Sequence, residues 1–260
     1  MQPYTAIDPD GTLKLKFAVH EQIADPTGRT VVPQTGWWWN PSEPGRGFAI
    51  ERRGTNLYVG TFLYDGTGRG VWYSAGGPMS GSSFSANLEQ YGGEQSEWGP
   101  TTGVTHVGAV GPVTLTFSTS RTATLTWPGR SMSIERFEFV PGGAISGPVG
   151  WAPETGWYWN PEESGRGWFV ETQGNAIFVA IYTYSLGRPV WFAGTLQPTS
   201  GTVFQGAISE YCCGQTLSGP YQAPVTTFSP GVVVMQFASA TEVVVTLPSG
   251  MQTRLQRFRF

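Results

Sequence analysis

Two stretches of this chain gather residue types from which sites are built. Trp37-Trp-Trp39-Asn40-Pro41-Ser-Glu43-Pro-Gly45-Arg46-Gly47 returns as Trp157-Tyr-Trp159-Asn160-Pro161-Glu-Glu163-Ser-Gly165-Arg166-Gly167, and each is followed by a glutamate, Glu51 or Glu171. A pair of carboxylates is the minimum equipment of a glycosidase, so Glu43 with Glu51 and Glu163 with Glu171 form one candidate constellation. Nearby arginines would keep both members ionised, which opposes the proton-donor role. Ligand sites are commonly a few polar groups set in aromatic walls. On that ground the candidate binding residues are Trp37, Trp39, Asn40, Arg46, Glu51, Tyr64 and Trp72, with Trp157, Trp159, Asn160, Arg166, Glu171, Tyr184 and Trp191 as their counterparts. The competing reading is structural: a strand ends at Trp39, Asn40-Pro41 starts a turn, Gly45 and Gly47 bend the chain back, and Trp37 and Trp39 fill a core. In that reading Arg46 and Arg166 pair with a carboxylate such as Glu43, Glu51, Glu163 or Glu171.

Other chemistries find little support. The only histidines are His20 and His106, so a Ser-His-Asp arrangement cannot belong to the repeat, and no catalytic residue is assigned. Two cysteines and two scattered histidines give no zinc spacing, and no metal or cofactor is expected. No phosphate-cradling glycine loop opens a helix, because no helix is expected at all. Lysine occurs only at positions 14 and 16, which removes Schiff-base chemistry from the main body. Cys212 and Cys213 stand where the first copy has Gly92 and Gly93; a vicinal disulfide, two free thiols and an intermolecular bridge are all open.

The elements that would position these residues are written twice. Of the seventeen positions from 35 to 51, eleven are identical 120 residues later. The match continues through Tyr64 and Tyr184, Arg69-Gly-Val-Trp72 and Arg188-Pro-Val-Trp191, Phe84 and Phe204, Phe117 and Phe237, and ends at Arg136-Phe137 and Arg257-Phe258. A repeat of this length is a whole domain. The division expected is an N-terminal arm or extra strand over 1–34, a first domain over 35–140, a Gly/Pro linker over 141–151 and a second domain over 152–260. The linker is short, so the domains are expected to touch.

Runs rich in β-branched and aromatic residues alternate with Gly, Pro, Asn, Ser and Asp turns, and none carries a helical period. The fold class expected is all-β: two tandem antiparallel meanders, each an eight-stranded up-and-down barrel. Strands are placed near 36–39, 47–53, 56–64, 70–75, 83–90, 112–118, 122–127 and 131–139. The run 57–64 departs from half-buried alternation: Leu57, Val59 and Leu63 oppose Tyr58, Phe62 and Tyr64, so one apolar face is left for the other domain, a ligand or a partner. Leu13, Leu15, Phe17 and Val19 alternate with Lys14, Lys16 and His20, an amphipathic strand able to pair on an edge of its own domain or of another molecule.

Charged residues are 13% of the chain, the formal net charge is −3 and aromatics reach 14%. Such a charge balance argues against nucleic acid as a partner. No apolar run is long enough for a membrane span, and no signal-peptide pattern opens the chain. Low charge with abundant Gly, Ser, Thr and Trp points to an extracellular or periplasmic protein.

The motif resembles repeats of uncharacterised, exported bacterial proteins in which W-x-N-P-x-x-S-G-R/W-G precedes a strand pair ending in R-P-x-W. That resemblance covers most of both domains and implies no activity. More loosely, G-x-W-x-N before an eight-stranded meander is similar to the start of avidin-type barrels, which implies a small ligand held among tryptophans. Three functions follow as expectations. The first is a non-enzymatic extracellular module binding a glycan or a small aromatic or apolar ligand. The second is an adhesin, surface-layer or filament subunit assembled with other protein subunits through the N-terminal strand and aromatic faces. The third is a polysaccharide-active enzyme using the paired glutamates.

Overall fold

The computed structural model describes residues 5–7, 13–15, 30–93, 98–99, 103–163 and 165–260. Sixteen strands form two closed antiparallel barrels, each a meander of eight consecutive strands. The first comprises β3 (Gly36–Trp39), β4 (Gly47–Arg53), β5 (Asn56–Tyr64), β6 (Gly70–Ser80), β7 (Ser83–Gly93), β8 (Val104–Phe117), β9 (Thr122–Trp127) and β10 (Arg130–Arg136). The second comprises β11 (Gly156–Trp159), β12 (Gly167–Gln173), β13 (Ala176–Ser185), β14 (Arg188–Ser200), β15 (Val203–Cys212), β16 (Val225–Ser239), β17 (Glu242–Thr246) and β18 (Gln252–Arg257). Closure is made by β10 on β3, with Arg136 opposite Trp38, and by β18 on β11, with Arg257 opposite Tyr158.

Short turns set the register. Arg53 pairs with Asn56 around Gly54, whose φ of 56° suits the left-handed geometry such a hairpin needs. The next turn is held by Asp65, whose Oδ1 accepts the backbone N–H groups of Thr67 at 2.8 Å and Arg69 at 3.1 Å. Several strands outrun their sequence signals. β6 extends to Ser80 because Gly76, Gly77 and Pro78 stay paired with Tyr58, Leu57 and Asn56, and β8 begins at Val104 through a bulged, glycine-containing stretch.

Both barrels are filled. Trp38, Phe48, Leu57, Val59, Leu63, Phe84 and Leu115 lie in the first core, and Tyr158, Trp168, Ile177, Val179, Ile181, Phe204 and Met235 in the second. The middle residue of each W-x-W therefore points inward, whereas the structural reading of the motif put Trp37 and Trp39 there. Strand parity is the reason: Trp38 and Tyr158 share the inward face, so their neighbours must face out. Between the barrels a third apolar cluster gathers Trp37, Phe62, Tyr64, Trp72, Trp157, Phe169, Tyr184 and Trp191. The second apolar face of β5 and β13 is thus spent on the other domain.

The linker contains one element that alternation did not suggest, a four-residue helix α1 (Gly143–Ser146) entered through Gly142 at φ 70°. It is followed by a bridge from Pro148 to Gly174, with the Val149 N–H donating to the Gly174 carbonyl at 2.7 Å. Near the N-terminus β1 (Thr5–Ile7) pairs with β2 (Leu13–Leu15) in a separate two-stranded sheet. Leu13 and Leu15 therefore do not extend a barrel, since closure leaves no edge strand to pair with. Lys16, Phe17, Val19 and His20 lie outside the described residues. Among the described residues no helix is long and apolar enough to cross a membrane.

Candidate ligand site at the seam between the barrels

The seam is built largely from reciprocal contacts, above all two carboxylate–arginine pairs related by the repeat. Glu51 on β4 accepts the backbone N–H of Trp157 at 2.8 Å and pairs with Arg257 at 2.5 Å; its other neighbour is Arg53, 2.8 Å away. Glu171 on β12 accepts the backbone N–H of Trp37 at 2.6 Å and pairs with Arg136. Each arginine also donates to the carbonyl of the tryptophan that opens its own barrel's motif. Gly36 and Gly156 are obligatory here. Their φ values are 147° and 140°, and a Cβ at Gly36 would run into the Arg136 guanidinium, one at Gly156 into Glu51 and Arg257. Trp72 donates its indole N–H to the Thr183 carbonyl, and Trp191 donates to that of Leu63, both at 3.1 Å.

Each barrel also lends the other a strap. The segment from Cys213 to Pro224 leaves the second barrel and crosses the end of the first, where Leu217 packs on the first core. Arg46, 2% exposed, donates to the Leu217 carbonyl at 3.5 Å, pairs with Glu43 and lies 5.3 Å from the Trp127 ring centre. Burial lowers its pKa to about 10, an effect that Glu43 opposes. Arg130 donates to the Gly219 carbonyl at 2.7 Å, and Ser218 to that of Pro128 at 2.8 Å. In the mirror arrangement Arg166 donates to the Gly99 carbonyl at 2.9 Å, while Trp98 packs 4.8 Å from Phe192 of the second core. The arginine of the repeated motif is therefore the residue that receives its neighbour's strap.

Where the second barrel's strap meets the seam, a cavity of about 280 Å³ remains. It is lined by the small residues Gly45, Gly47, Ala180 and Ala193 and by the rings of Trp37, Trp39, Phe62, Tyr64, Phe137, Phe178, Trp191 and Tyr211, with Pro224 from the strap and the backbone of the inward-facing Trp38. The rings pack on one another: Trp37 to Phe62 at 5.5 Å, Trp39 to Phe137 at 5.0 Å, and Trp191 stacked on Tyr211 at 5.4 Å. The indole N–H groups of Trp37, Trp38 and Trp191 are already donated to the carbonyls of Phe178, Gln34 and Leu63. Arg46 borders the cavity with its charge directed to Glu43. Burial raises the Tyr64 hydroxyl pKa far above the ordinary tyrosine value, and this hydroxyl, which has no hydrogen-bond partner, is a polar group on an otherwise largely apolar border.

Of the residues singled out from sequence, Trp37, Trp39, Arg46, Tyr64 and Trp191 line this cavity. The others lie elsewhere. Trp72, Trp157 and Tyr184 pack on the opposite half of the seam. Glu51 and Glu171 are locked to arginines of the other barrel, and Arg46 and Arg166 take Glu43 and Glu163 as partners. Neither Glu43 with Glu51 nor Glu163 with Glu171 borders the cavity. Asn40 and Asn160 start their turns by accepting the N–H groups of Ser42 at 2.9 Å and Glu162 at 3.0 Å. Trp159 packs on Phe258 at 5.4 Å. Sequence reading placed Phe62 and Phe178 on the spare apolar faces of their strands without naming them as site residues, and it missed Phe137, Tyr211 and Pro224. Phe137 follows from strand parity once Trp37 is known to face out; Pro224 carries no local signal.

Cys212 and Cys213 form a vicinal disulfide beside the cavity. Cys213 adopts φ 67° and donates its N–H to the Gly68 carbonyl at 2.6 Å, tying the base of the strap to the first barrel. Among the described residues no group of three or more His, Cys, Asp or Glu is arranged to hold a metal ion. No family model, curated protein or solved structure matches the chain.

Proposed function

We propose that this protein is a non-enzymatic module that binds one small apolar ligand in the seam cavity, rather than one ligand in each barrel. The observation that carries this reading is the cavity itself, walled largely by aromatic rings, with the indole N–H groups of Trp37 and Trp191 committed to backbone carbonyls. A cavity of about 150 Å³ lined by apolar side chains holds benzene. Nearly twice that volume suits a compound of about two rings. A glycan fits less well, because its hydroxyls would lose water without gaining partners. The Cys212–Cys213 disulfide favours an oxidising, extracytoplasmic setting.

The test is calorimetric titration with a neutral two-ring compound and with a disaccharide, on the native chain and on Ala193→Leu, which fills the cavity from its wall. Saturable binding of the apolar compound at one per chain, lost in Ala193→Leu, is the expected result. Tighter binding of the disaccharide, insensitive to Ala193→Leu, would overturn it.

A second reading, assembly with other subunits, draws on Val225, Phe228 and Val232, which are at least half exposed along the first part of β16. Sedimentation of the native chain at rising concentration, compared with Phe228→Ser, separates the two readings.

A further inference from the structure

The two halves of the seam are related by the repeat, yet only one of them is open. The counterpart of the ligand cavity, bordered by Tyr58, Gly60, Trp72, Tyr73, Ser74, Trp157 and Tyr182 and sharing Phe62 with the open side, encloses about 10 Å³, at the lower limit for one water. The difference lies in a few paired positions. On the closed side stand Tyr58, Ser74 and Tyr182; the residues at equivalent places on the open side are Phe178, Ala193 and Phe62. At these three places the closed half carries a hydroxyl and the open half does not, whereas the tyrosines Tyr64 and Tyr211 keep theirs on the open side.

The geometry shows what those hydroxyls accompany. Tyr58 is hydrogen-bonded to Ser74, which knits the closed half together. The phenol of Tyr182 lies directly on Gly167, its ring packed against Trp72 at 4.9 Å and Trp157 at 5.6 Å. Phe62 instead leaves the equivalent Gly47 uncovered, where the nearest atom to a notional Cβ is the edge of Trp37 at 3.9 Å. Trp157 rests on Gly60, where a Cβ would run into its ring, and the residue at the matching place beside Trp37 is Ala180.

Resting on the binding reading above, we infer that the seam cavity selects an uncharged, planar aromatic of about two fused rings, and that Phe62, Phe178 and Ala193 are its specificity determinants. Without hydroxyls on these three residues, the surfaces they present leave no donor of their own to be orphaned when an apolar guest enters, and the unpartnered buried hydroxyl on the border is that of Tyr64. Aromatic over aliphatic follows from the walls: Trp37, Trp191 and Phe137 offer faces and edges suited to another π-system. Planarity follows from the tilted and stacked arrangements those rings already adopt with one another.

The experiment compares 2-naphthol with its saturated analogue decahydro-2-naphthol, which keeps the skeleton and the hydroxyl but loses the π-faces. On the native chain 2-naphthol should bind one per chain and about tenfold tighter than the saturated alcohol. Phe62→Tyr should weaken 2-naphthol at least tenfold, as should Phe178→Tyr combined with Ala193→Ser, which installs the Tyr58–Ser74 arrangement on the open side. The second variant carries the test if the first does not fold, and melting temperatures report folding for both. Equal affinity for the two alcohols, or unchanged 2-naphthol affinity in folded variants, overturns this inference while leaving an apolar site intact. Absence of binding by either alcohol sinks the binding reading as well.

Discussion

Glu51 of the first barrel and Arg257 of the second form a buried ion pair 206 residues apart in sequence, matched by Glu171 with Arg136. The carboxylate that sequence alone offers to catalysis is the one that fastens the domains. Removing one partner of a buried pair strands a charge, at a cost of about 3–5 kcal/mol. Arg257→Met leaves Glu51 with the partly exposed Arg53 as its remaining partner, so it should destabilise the chain by an amount at or below the lower end of that range, and Glu51→Gln combined with Arg257→Met should recover part of the loss. A denaturant double-mutant cycle measures the coupling; additive effects of the two substitutions would count against the pair.

Each barrel covers its partner's aromatic face, which sets an expectation for the halves expressed alone. Residues 152–260 in isolation would expose Trp157, Phe169 and Trp191, now buried at the seam. Since the contacts are reciprocal, that half carries both Glu171 and Arg257 and can repeat the interface with a second copy of itself. Sedimentation velocity should show a dimer at micromolar concentration; a stable monomer would mean that the seam contributes less than its burial suggests.

Burial raises the pKa of Tyr58, Tyr64, Tyr73, Tyr158, Tyr182 and Tyr184 above the ordinary 10.0. These hydroxyls are neutral in both folded and unfolded chains below pH 10, so they place no slope on stability there. Above pH 10 the unfolded chain releases its protons first and stability falls as pH rises. Phenolate absorbance should lag a free-tyrosine titration and then rise together with loss of far-ultraviolet β-signal. A smooth titration complete before unfolding would contradict the burial of these rings.

The vicinal disulfide encloses no intervening residue and so restrains the unfolded chain little. Cys212→Gly with Cys213→Gly, the pair found in the first repeat, should change stability by less than about 1 kcal/mol, because glycine accepts φ 67° without penalty. Cys213→Val should cost about 1–3 kcal/mol, since a β-branched residue is strained in that conformation. Thermal melts of the two variants under matched redox conditions decide this.

Much of the fold was legible because its signals are local and doubled. The bounds of β3, β4, β5 and β9 coincide with runs read from alternation, and the doubly apolar face of Tyr58, Phe62 and Tyr64 announced a contact beyond the barrel wall. What could not be read depends on three-dimensional choice among equivalents. Glu51 had several arginines available, and only the reciprocal packing selects Arg257. The strap residues Leu217 and Pro224 have no periodicity and act through one carbonyl and one ring, so their places emerge only in the folded chain. The open half of the seam was written in the sequence as Phe62 against Tyr182, but its meaning requires knowing that both face the same boundary.

The exchanged straps impose an order on synthesis. When Arg136 has been added, the first barrel has all its strands, yet Leu217, which closes its end, lies about eighty residues ahead. At bacterial and eukaryotic elongation speeds that interval is about 4–16 s, long compared with the folding of a small domain. During it the nascent first half waits with Arg46 lacking its carbonyl partner and its outer tryptophans wet, so the ribosome, rather than the finished protein, holds the most aggregation-prone form of this chain.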